Sequence, residues 1–256
     1  MTLVLVTGGR SGIGAATAAV LAAAGLRPIV ADIATPLPEE RPQGALVWEN
    51  PFDVSDEAAV AREVAAIEDT LGPLAGLVNA AGILGRMLPP AKLRMADWDR
   101  ELAVDLRGTY LMCREVGTRM AERGRGAIVN VASIVSLSSA PVHGYGPAKA
   151  AVASLTATLA AEWGRQGVRV NCVSPGFTRT PALQRGLDAG VMDAEVLASA
   201  AALGRLVEAE EVGRAIVWLL SDGASAVTGV NLPVDAGFLC AVTWQVYGGL
   251  RAAASA

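Results

Sequence analysis

Leu3-Val4-Leu5-Val6-Thr7-Gly8-Gly9-Arg10-Ser11-Gly12-Ile13-Gly14 decides how this chain is read. Leu3 to Val6 is an aliphatic and β-branched run of the kind that fills a buried strand. Thr7 to Gly14 is a glycine-rich turn. Ile13 to Ala24 is an alanine-rich helix closed by Gly25 as its C-cap. Pro28 to Ala31 is a second apolar strand, so the first 32 residues make one β-α-β unit. Glycines let a backbone turn tightly and approach a ligand closely. The helix behind them offers unsatisfied N–H groups and the positive end of its dipole, together a seat for a diphosphate. The spacing is Gly-x-x-x-Gly-x-Gly, where the common dinucleotide fingerprint is Gly-x-Gly-x-x-Gly. By itself it is also compatible with a plain glycine-rich βα turn.

The alternation continues outward from this unit. Strands are predicted at Ala45–Trp48, Leu77–Asn79, Ala127–Ala132, Val168–Val173 and Gly229–Val234. Helices are predicted at Asp56–Leu71, Asp97–Arg123, Tyr145–Arg165 and Glu208–Leu220. Strands separated by helices mean an α/β protein with a parallel sheet covered on both faces, joined by right-handed crossovers. No repeat or linker divides the chain, and residues 1–256 are read as one domain. Pro36 to Pro42 is a proline-rich loop. The long connection from Phe177, at about 177–204, is read as a substrate lid. The tail 238–256 carries Phe238, Trp244 and Tyr247 and is expected to be docked, on this chain or on a neighbouring subunit.

Composition narrows the function. Of 256 residues 52% are hydrophobic and 18% charged, which excludes a disordered chain. A net charge of −4 argues against a nucleic-acid partner, since phosphate backbones need a basic face. No apolar run reaches the ~20 residues of a membrane span, and the first residues lack the basic start of a signal peptide. A cytoplasmic location without a membrane partner is expected. Cys113, Cys172 and Cys240 show neither a disulfide framework nor a metal spacing. His143 is the only histidine, so no metal site and no Ser-His-Asp triad is expected.

Three features carry chemistry. Tyr145 and Lys149 stand four apart on a predicted helix and so share a face. An ammonium beside a phenol favours the phenolate, and such a phenol can exchange a proton with an alcohol oxygen. Ser133 lies 12 residues upstream of Tyr145. Asp32 ends the second strand, 18 residues after Gly14. An acid there accepts hydrogen bonds from the adenosine ribose and repels a 2′-phosphate, which selects NAD over NADP. Arg10 argues the other way, because a base in the glycine turn can hold a 2′-phosphate; Asp32 is given the greater weight. Asn79-Ala80-Ala81-Gly82 puts small residues at the carboxyl end of a strand, where a flat ligand needs room.

Thr-Gly-x-x-x-Gly-x-Gly, Asn-Ala-Ala-Gly, a Ser upstream of Tyr-x-x-x-Lys, and Pro175-Gly176 after a strand occur here in one order, and together they resemble the short-chain dehydrogenase/reductase family. The resemblance runs from Leu3 to about Gly237. It implies a Rossmann-type, doubly wound, seven-stranded parallel sheet in a single domain, and a secondary-alcohol/ketone oxidoreductase. Tyr145 is then the general acid/base, Lys149 its partner and the holder of the nicotinamide ribose, and Ser133 the hydroxyl that orients the substrate oxygen. The glycine turn contributes Thr7, Gly8, Arg10, Ser11, Gly12, Ile13 and Gly14 to the dinucleotide site. Asp32 and Ile33 border the adenosine, and Asp53 and Val54 contact the adenine. Asn79, Ala80 and Gly82 line the cleft with Tyr145 and Lys149. Pro175, Gly176, Thr178 and Thr180 hold the nicotinamide carboxamide. Asp235-Ala236-Gly237 is similar to the family's Asp-Gly-Gly. A homotetramer built on the helix after Asp97 and the helix of Tyr145 is the implied assembly.

Two departures from the family pattern stand out. Val104-Asp105-Leu106-Arg107-Gly108 has Asp105 where the family places an Asn of a proton-relay tetrad. An Asp serves there if the relay runs through the backbone carbonyl, and it also stabilises the Lys149 ammonium. The Ser133-to-Tyr145 spacing is one residue short, which shortens the loop Ser136 to His143 beside the substrate. Arg86 and Arg179 are candidate partners for an anionic substrate group, and His143 for a substrate hydroxyl. The expected activity is NAD-dependent hydride transfer between a secondary alcohol and a ketone on a sugar, polyol or cyclic alcohol. The competing expectations are a 3-oxoacyl thioester reductase and a catalytically silent dinucleotide-binding regulator.

Overall fold

The fold is taken from a computed structural model that describes residues 2–35 and 37–251. Its sheet strands are β1 (Leu3–Thr7), β2 (Arg27–Ala31), β3 (Leu46–Val47), β4 (Leu74–Asn79), β5 (Gly126–Val131), β6 (Val168–Pro175) and β9 (Asn231–Val234). All pair in parallel, in the order β3-β2-β1-β4-β5-β6-β9. Successive strand residues face opposite sides. Leu3 and Leu5 therefore pack under α2 (Glu57–Leu71), α4 (Thr109–Glu122) and α5 (Tyr145–Trp163), while Val4 and Val6 pack under α1 (Gly12–Ala23) and α8 (Ala209–Leu220). A strand buried on both faces has no polar side, which is why β1 reads as an unbroken apolar run.

The sheet order reverses between β1 and β4. Ligands of open α/β sheets bind in the crevice beyond the strand carboxyl ends at such a point. The glycine turn follows β1 and Asn79-Ala80-Ala81-Gly82 follows β4, so the two are neighbours. Gly8 has φ +64°, and a Cβ on it would lie 2.6 Å from the Ala81 backbone. Only glycine permits that approach, and it draws the two turns together.

The structure departs from the sequence reading at one helix and gives detail to two further segments. The single long helix expected over Asp97–Arg123 is α3 (Met95–Leu102), a π-helical segment (Ala103–Gly108) and then α4. The wider turn comes with a local bond, as the Thr109 hydroxyl donates to the Asp105 carbonyl at 2.8 Å, and π-bulges concentrate at functional sites. The connection at 177–204 is partly helical. β7 (Thr178–Arg179) pairs in parallel with β8 (Val207–Glu208) and ties the two ends of the segment together. Between them lie α6 (Pro181–Asp188) and α7 (Ala194–Ser199). The tail begins docked: α9 (Phe238–Ala241) sets the Phe238 ring edge-on against Phe177, centroids 5.2 Å apart. Beyond it Trp244 and Tyr247 are exposed, at 46% and 85%, so this chain alone does not cover them. Residues 252–256 of the expected tail, and Pro36 of the proline-rich loop, lie outside the described residues.

Candidate active site

One cleft of about 620 Å³ runs across the carboxyl end of the sheet. Gly8, Ser11, Gly12, Ile13 and Gly14 line it at the glycine turn, and Asp32, Ile33, Asp53 and Val54 line the end beyond β2. Ala80, Gly82, Asp105, Ser133, Tyr145 and Lys149 form its middle. Pro175, Gly176, Thr178 and Thr180 close the far wall. Thr7 and Asn79 lie beneath the surface instead. Thr7 Oγ1 accepts the Ala81 amide at 3.3 Å, and the Asn79 amide donates to Asn130 at 2.9 Å. Both brace the β1 and β4 turns from below.

The glycine turn fits a diphosphate. Gly12 takes φ +55°, and a side chain on Gly14 would collide with the Gly8 carbonyl. Ser11 is the N-cap of α1 but makes no side-chain capping bond, which leaves the helix's first amides free for a ligand. Asp32 is half-buried, with each oxygen accepting one backbone amide: Ile33 N–H to Oδ1 at 2.8 Å and Arg10 N–H to Oδ2 at 3.1 Å. A carboxylate fixed in this way retains lone pairs for two ribose hydroxyls. Asp53 is held by Ser55 through Oδ1 and by Arg100 through Oδ2 at 2.9 Å.

The reacting end is built on α5. Tyr145 opens the helix, half-buried, and Lys149 follows one turn on with its Nζ 5.4 Å from the phenol ring centre. Lys149 is 4% exposed and Asp105 is fully buried. Nζ donates to the Val131 carbonyl at 2.9 Å and lies 3.1 Å from Asp105 Oδ1. Asp105 Oδ2 accepts the Ile83 amide at 3.3 Å. Burial, the largest single influence, disfavours the ammonium, but Asp105 and Tyr145 together oppose it and hold the Lys149 pKa above its ordinary value. Burial likewise pushes the Asp105 carboxyl up, against the pull of Lys149. The two side chains stand 3.1 Å apart and largely removed from solvent, where each has the other as its charge partner. Among the described residues Oδ1 is a buried oxygen whose one close polar neighbour is Nζ. Gly82 is required beside this pair: a Cβ there would lie 2.5 Å from Asp105 Oδ1. Ser133 is buried at the end of β5, its Oγ accepting only the Val135 amide at 3.4 Å.

The substrate candidates Arg86, His143 and Arg179 are exposed and do not line this cleft. Arg179 pairs with Glu208 at 3.0 Å. His143 borders a shallow depression on the other side of the Ser136–His143 loop. The side chains that do wall the substrate end are Met87, Val142, Phe177, Leu183 and Met192, with Arg185 at the lid. They fall in the three stretches that the sequence offers for the substrate pocket, Ile83 to Leu88, Ser136 to His143 and the lid from Phe177 onward, but which side chains of each face the cleft was not legible there.

Glu101, one turn before Asp105, was also missed. It is 4% exposed, and its Oε2 has no hydrogen-bond partner. Gly85 and Gly144 leave room for its carboxyl between the two loops that flank the substrate end. Burial raises its pKa, the Tyr145 amide opposes the rise and the Asp105 charge adds to it. The folded protein therefore binds this proton more tightly than the unfolded chain does. Stability then falls as pH rises from the ordinary value of 4.5 through the raised one. Glu101→Gln is expected to flatten that slope and to gain about 1–3 kcal/mol at neutral pH. Urea midpoints between about pH 4 and 8 check this; an unaltered slope would refute it.

The comparisons agree with this geometry. A family model described as enoyl-(acyl carrier protein) reductase matches residues 8–239. A 2,5-dichloro-2,5-cyclohexadiene-1,4-diol dehydrogenase of Sphingobium indicum is 39% identical over 92% of this chain and 96% of its own. A D-threitol dehydrogenase of Mycolicibacterium smegmatis is 39% identical over 91% of each chain. A solved structure from Brucella melitensis 16M, described as ribose-5-phosphate isomerase, superposes with TM-score 0.93 at 50% identity, covering 98% of this chain and 97% of that one. The fold and the site define an oxidoreductase that binds a nicotinamide dinucleotide and acts on a CH–OH group. The chain belongs to the short-chain dehydrogenase/reductase family.

Proposed function

We propose that this enzyme uses NAD⁺ to oxidise a secondary alcohol on a small cyclic substrate or polyol, and reduces the ketone in reverse. The observation that carries the reading is the placement of Ser133, Tyr145 and Lys149 in the same cleft as the glycine turn and Asp32. When bound, the dinucleotide supplies a hydride acceptor. The Ser133 hydroxyl and the Tyr145 oxygen hold the reacting oxygen of the substrate. Tyr145, as the phenolate, takes the hydroxyl proton, and in the reverse direction returns it. Lys149 stands beside the phenol and would bind the ribose, and Asp105 fixes Lys149 in place. The NAD preference is supported by Asp32, a carboxylate lining the cleft beyond β2, where it would meet the ribose hydroxyls of a bound dinucleotide. The substrate class is supported by the apolar wall of Met87, Val142, Phe177 and Leu183, which suits a ring, and by the cyclic diol and threitol that name two relatives. An isomerase of a phosphosugar moves hydrogen within one substrate and gives a dinucleotide cradle no task, so that name is not carried over.

The segment 177–204 is read as a lid, the assembly as a homotetramer on the α4 and α5 faces, and the location as cytoplasmic. NADH formation across cyclic alcohols, sugars, polyols and 3-hydroxyacyl thioesters tests the activity. Turnover of the cyclic alcohols or polyols with NAD⁺ is the expected result. Turnover of the thioesters alone would replace the reading with an acyl-thioester reductase. Tight NAD⁺ binding without any turnover would replace it with a regulator.

A further inference from the structure

We propose that Glu40 is a cofactor-selectivity residue, which clamps the Arg10 guanidinium and so withholds from the cleft the base that a 2′-phosphate would use. The inference rests on the NAD reading and deepens it. Arg10 sits inside the glycine turn, and its own amide donates to Asp32 Oδ2 at 3.1 Å. Its side chain therefore leaves the backbone beside the Asp32 carboxylate, which would meet the adenosine ribose of a bound dinucleotide. An arginine rooted there is a liability for NAD selectivity, because guanidinium groups bind phosphates in a bidentate fork.

The structure spends that fork elsewhere. Arg10 Nε donates to Glu40 Oε2 at 2.7 Å, and Nη2 donates to Oε1 at 3.0 Å. Glu40 is itself fixed. It ends the short 3₁₀ turn Pro38–Glu40 in the proline-rich loop after β2, and its Oε2 also accepts the Leu37 amide at 2.9 Å. Proline at the start of that turn limits the backbone's freedom, so the acid is presented and does not wander. The Glu40 hydrogen bond and then its charge raise the Arg10 pKa, and Arg10 in turn lowers that of Glu40. Neither side chain lines the cleft, whereas Asp32, Ser11 and Ile33 do.

The pair is about one-third exposed, with side-chain accessibilities of 37% and 32%, so a 2′-phosphate can reach it. To bind Arg10, however, that phosphate must displace one carboxylate while facing another, Asp32. Without the Glu40 charge, the guanidinium is free to turn inward and only Asp32 still repels.

The experiment is equilibrium binding of NADH and of NADPH to the full chain, followed by nucleotide fluorescence, which needs no substrate. The proteins are the wild type, Glu40→Gln, Arg10→Gln and the double variant. In Glu40→Gln the ratio of the NADPH to the NADH dissociation constant is expected to fall about ten-fold, the worth of one charge-assisted fork. In the Arg10→Gln background the same change is expected to leave the ratio where Arg10→Gln alone puts it. An unchanged ratio in Glu40→Gln would overturn the inference and leave the NAD reading standing on Asp32. An equal fall with and without Arg10 would also overturn it, since Glu40 would then act by its own charge. Tighter binding of NADPH than NADH by the wild type would overturn the NAD reading and the inference together.

Discussion

Tyr145→Phe is expected to lower kcat by about 10²–10⁴-fold, the usual worth of a positioned general base, while NADH binding persists. The substitution removes one oxygen from a side chain that opens α5 and lines the cleft. The ring remains, so its packing and its 5.4 Å distance to Lys149 have no reason to change. What disappears is the phenol oxygen proposed to exchange the proton. Ser133 does not replace it, because a serine hydroxyl lacks a phenol's acidity and this one has no base beside it to activate it. The measurement is initial rate against substrate in both directions, with fluorescence titration of NADH alongside. A variant that keeps more than about a tenth of the wild-type kcat would remove Tyr145 from the proton-transfer step.

The second large effect is expected at Asp105. Asp105→Ala leaves the Lys149 ammonium buried with the Val131 carbonyl as its remaining protein acceptor. Breaking one partner out of a buried pair costs about 3–5 kcal/mol, because the surviving charge is uncompensated. At about 2–4 °C per kcal/mol for a domain of this size, Tm should fall by roughly 10 °C. Asp105→Asn separates charge from shape. The amide oxygen can still accept the Ile83 N–H, and no cavity opens, so a smaller loss is expected. Differential scanning calorimetry of the two variants with and without NAD⁺ decides the matter. If the alanine variant melts with the wild type, the ion pair contributes nothing and Lys149 is held by other means.

These two residues also show where sequence reading stops. Tyr145 and Lys149 were legible because a helix converts a spacing of four into a shared face. That Asp105 stands near the lysine was implied by the family resemblance, but the geometry of the contact was not: 44 residues separate the two in the chain, and a π-helical segment carries the carboxyl to 3.1 Å from Nζ. Glu101 was less visible still. A glutamate on a charged helix reads as a solvated residue, and only the glycines at 85 and 144 make its burial possible. At the other end of the cleft, Asp32 was placed by its distance from the glycine turn, whereas the fate of Arg10 depended on a loop that folds back to bring Glu40 against it. The arginines at 86 and 179 were proposed for the substrate on charge alone, and the fold leaves both outside the cleft.

The sequence by itself determined the parallel α/β sheet, the dinucleotide turn and the phenol–ammonium pair. Each of these is written in a local period or a short spacing, which neighbouring residues can enforce. Only the tertiary structure decided that Glu40 meets Arg10, that Glu101 is buried, and which apolar side chains wall the substrate end. Those contacts join residues far apart in the chain, and they depend on how helices cross the sheet and where loops return. Local propensity carries no record of such closures.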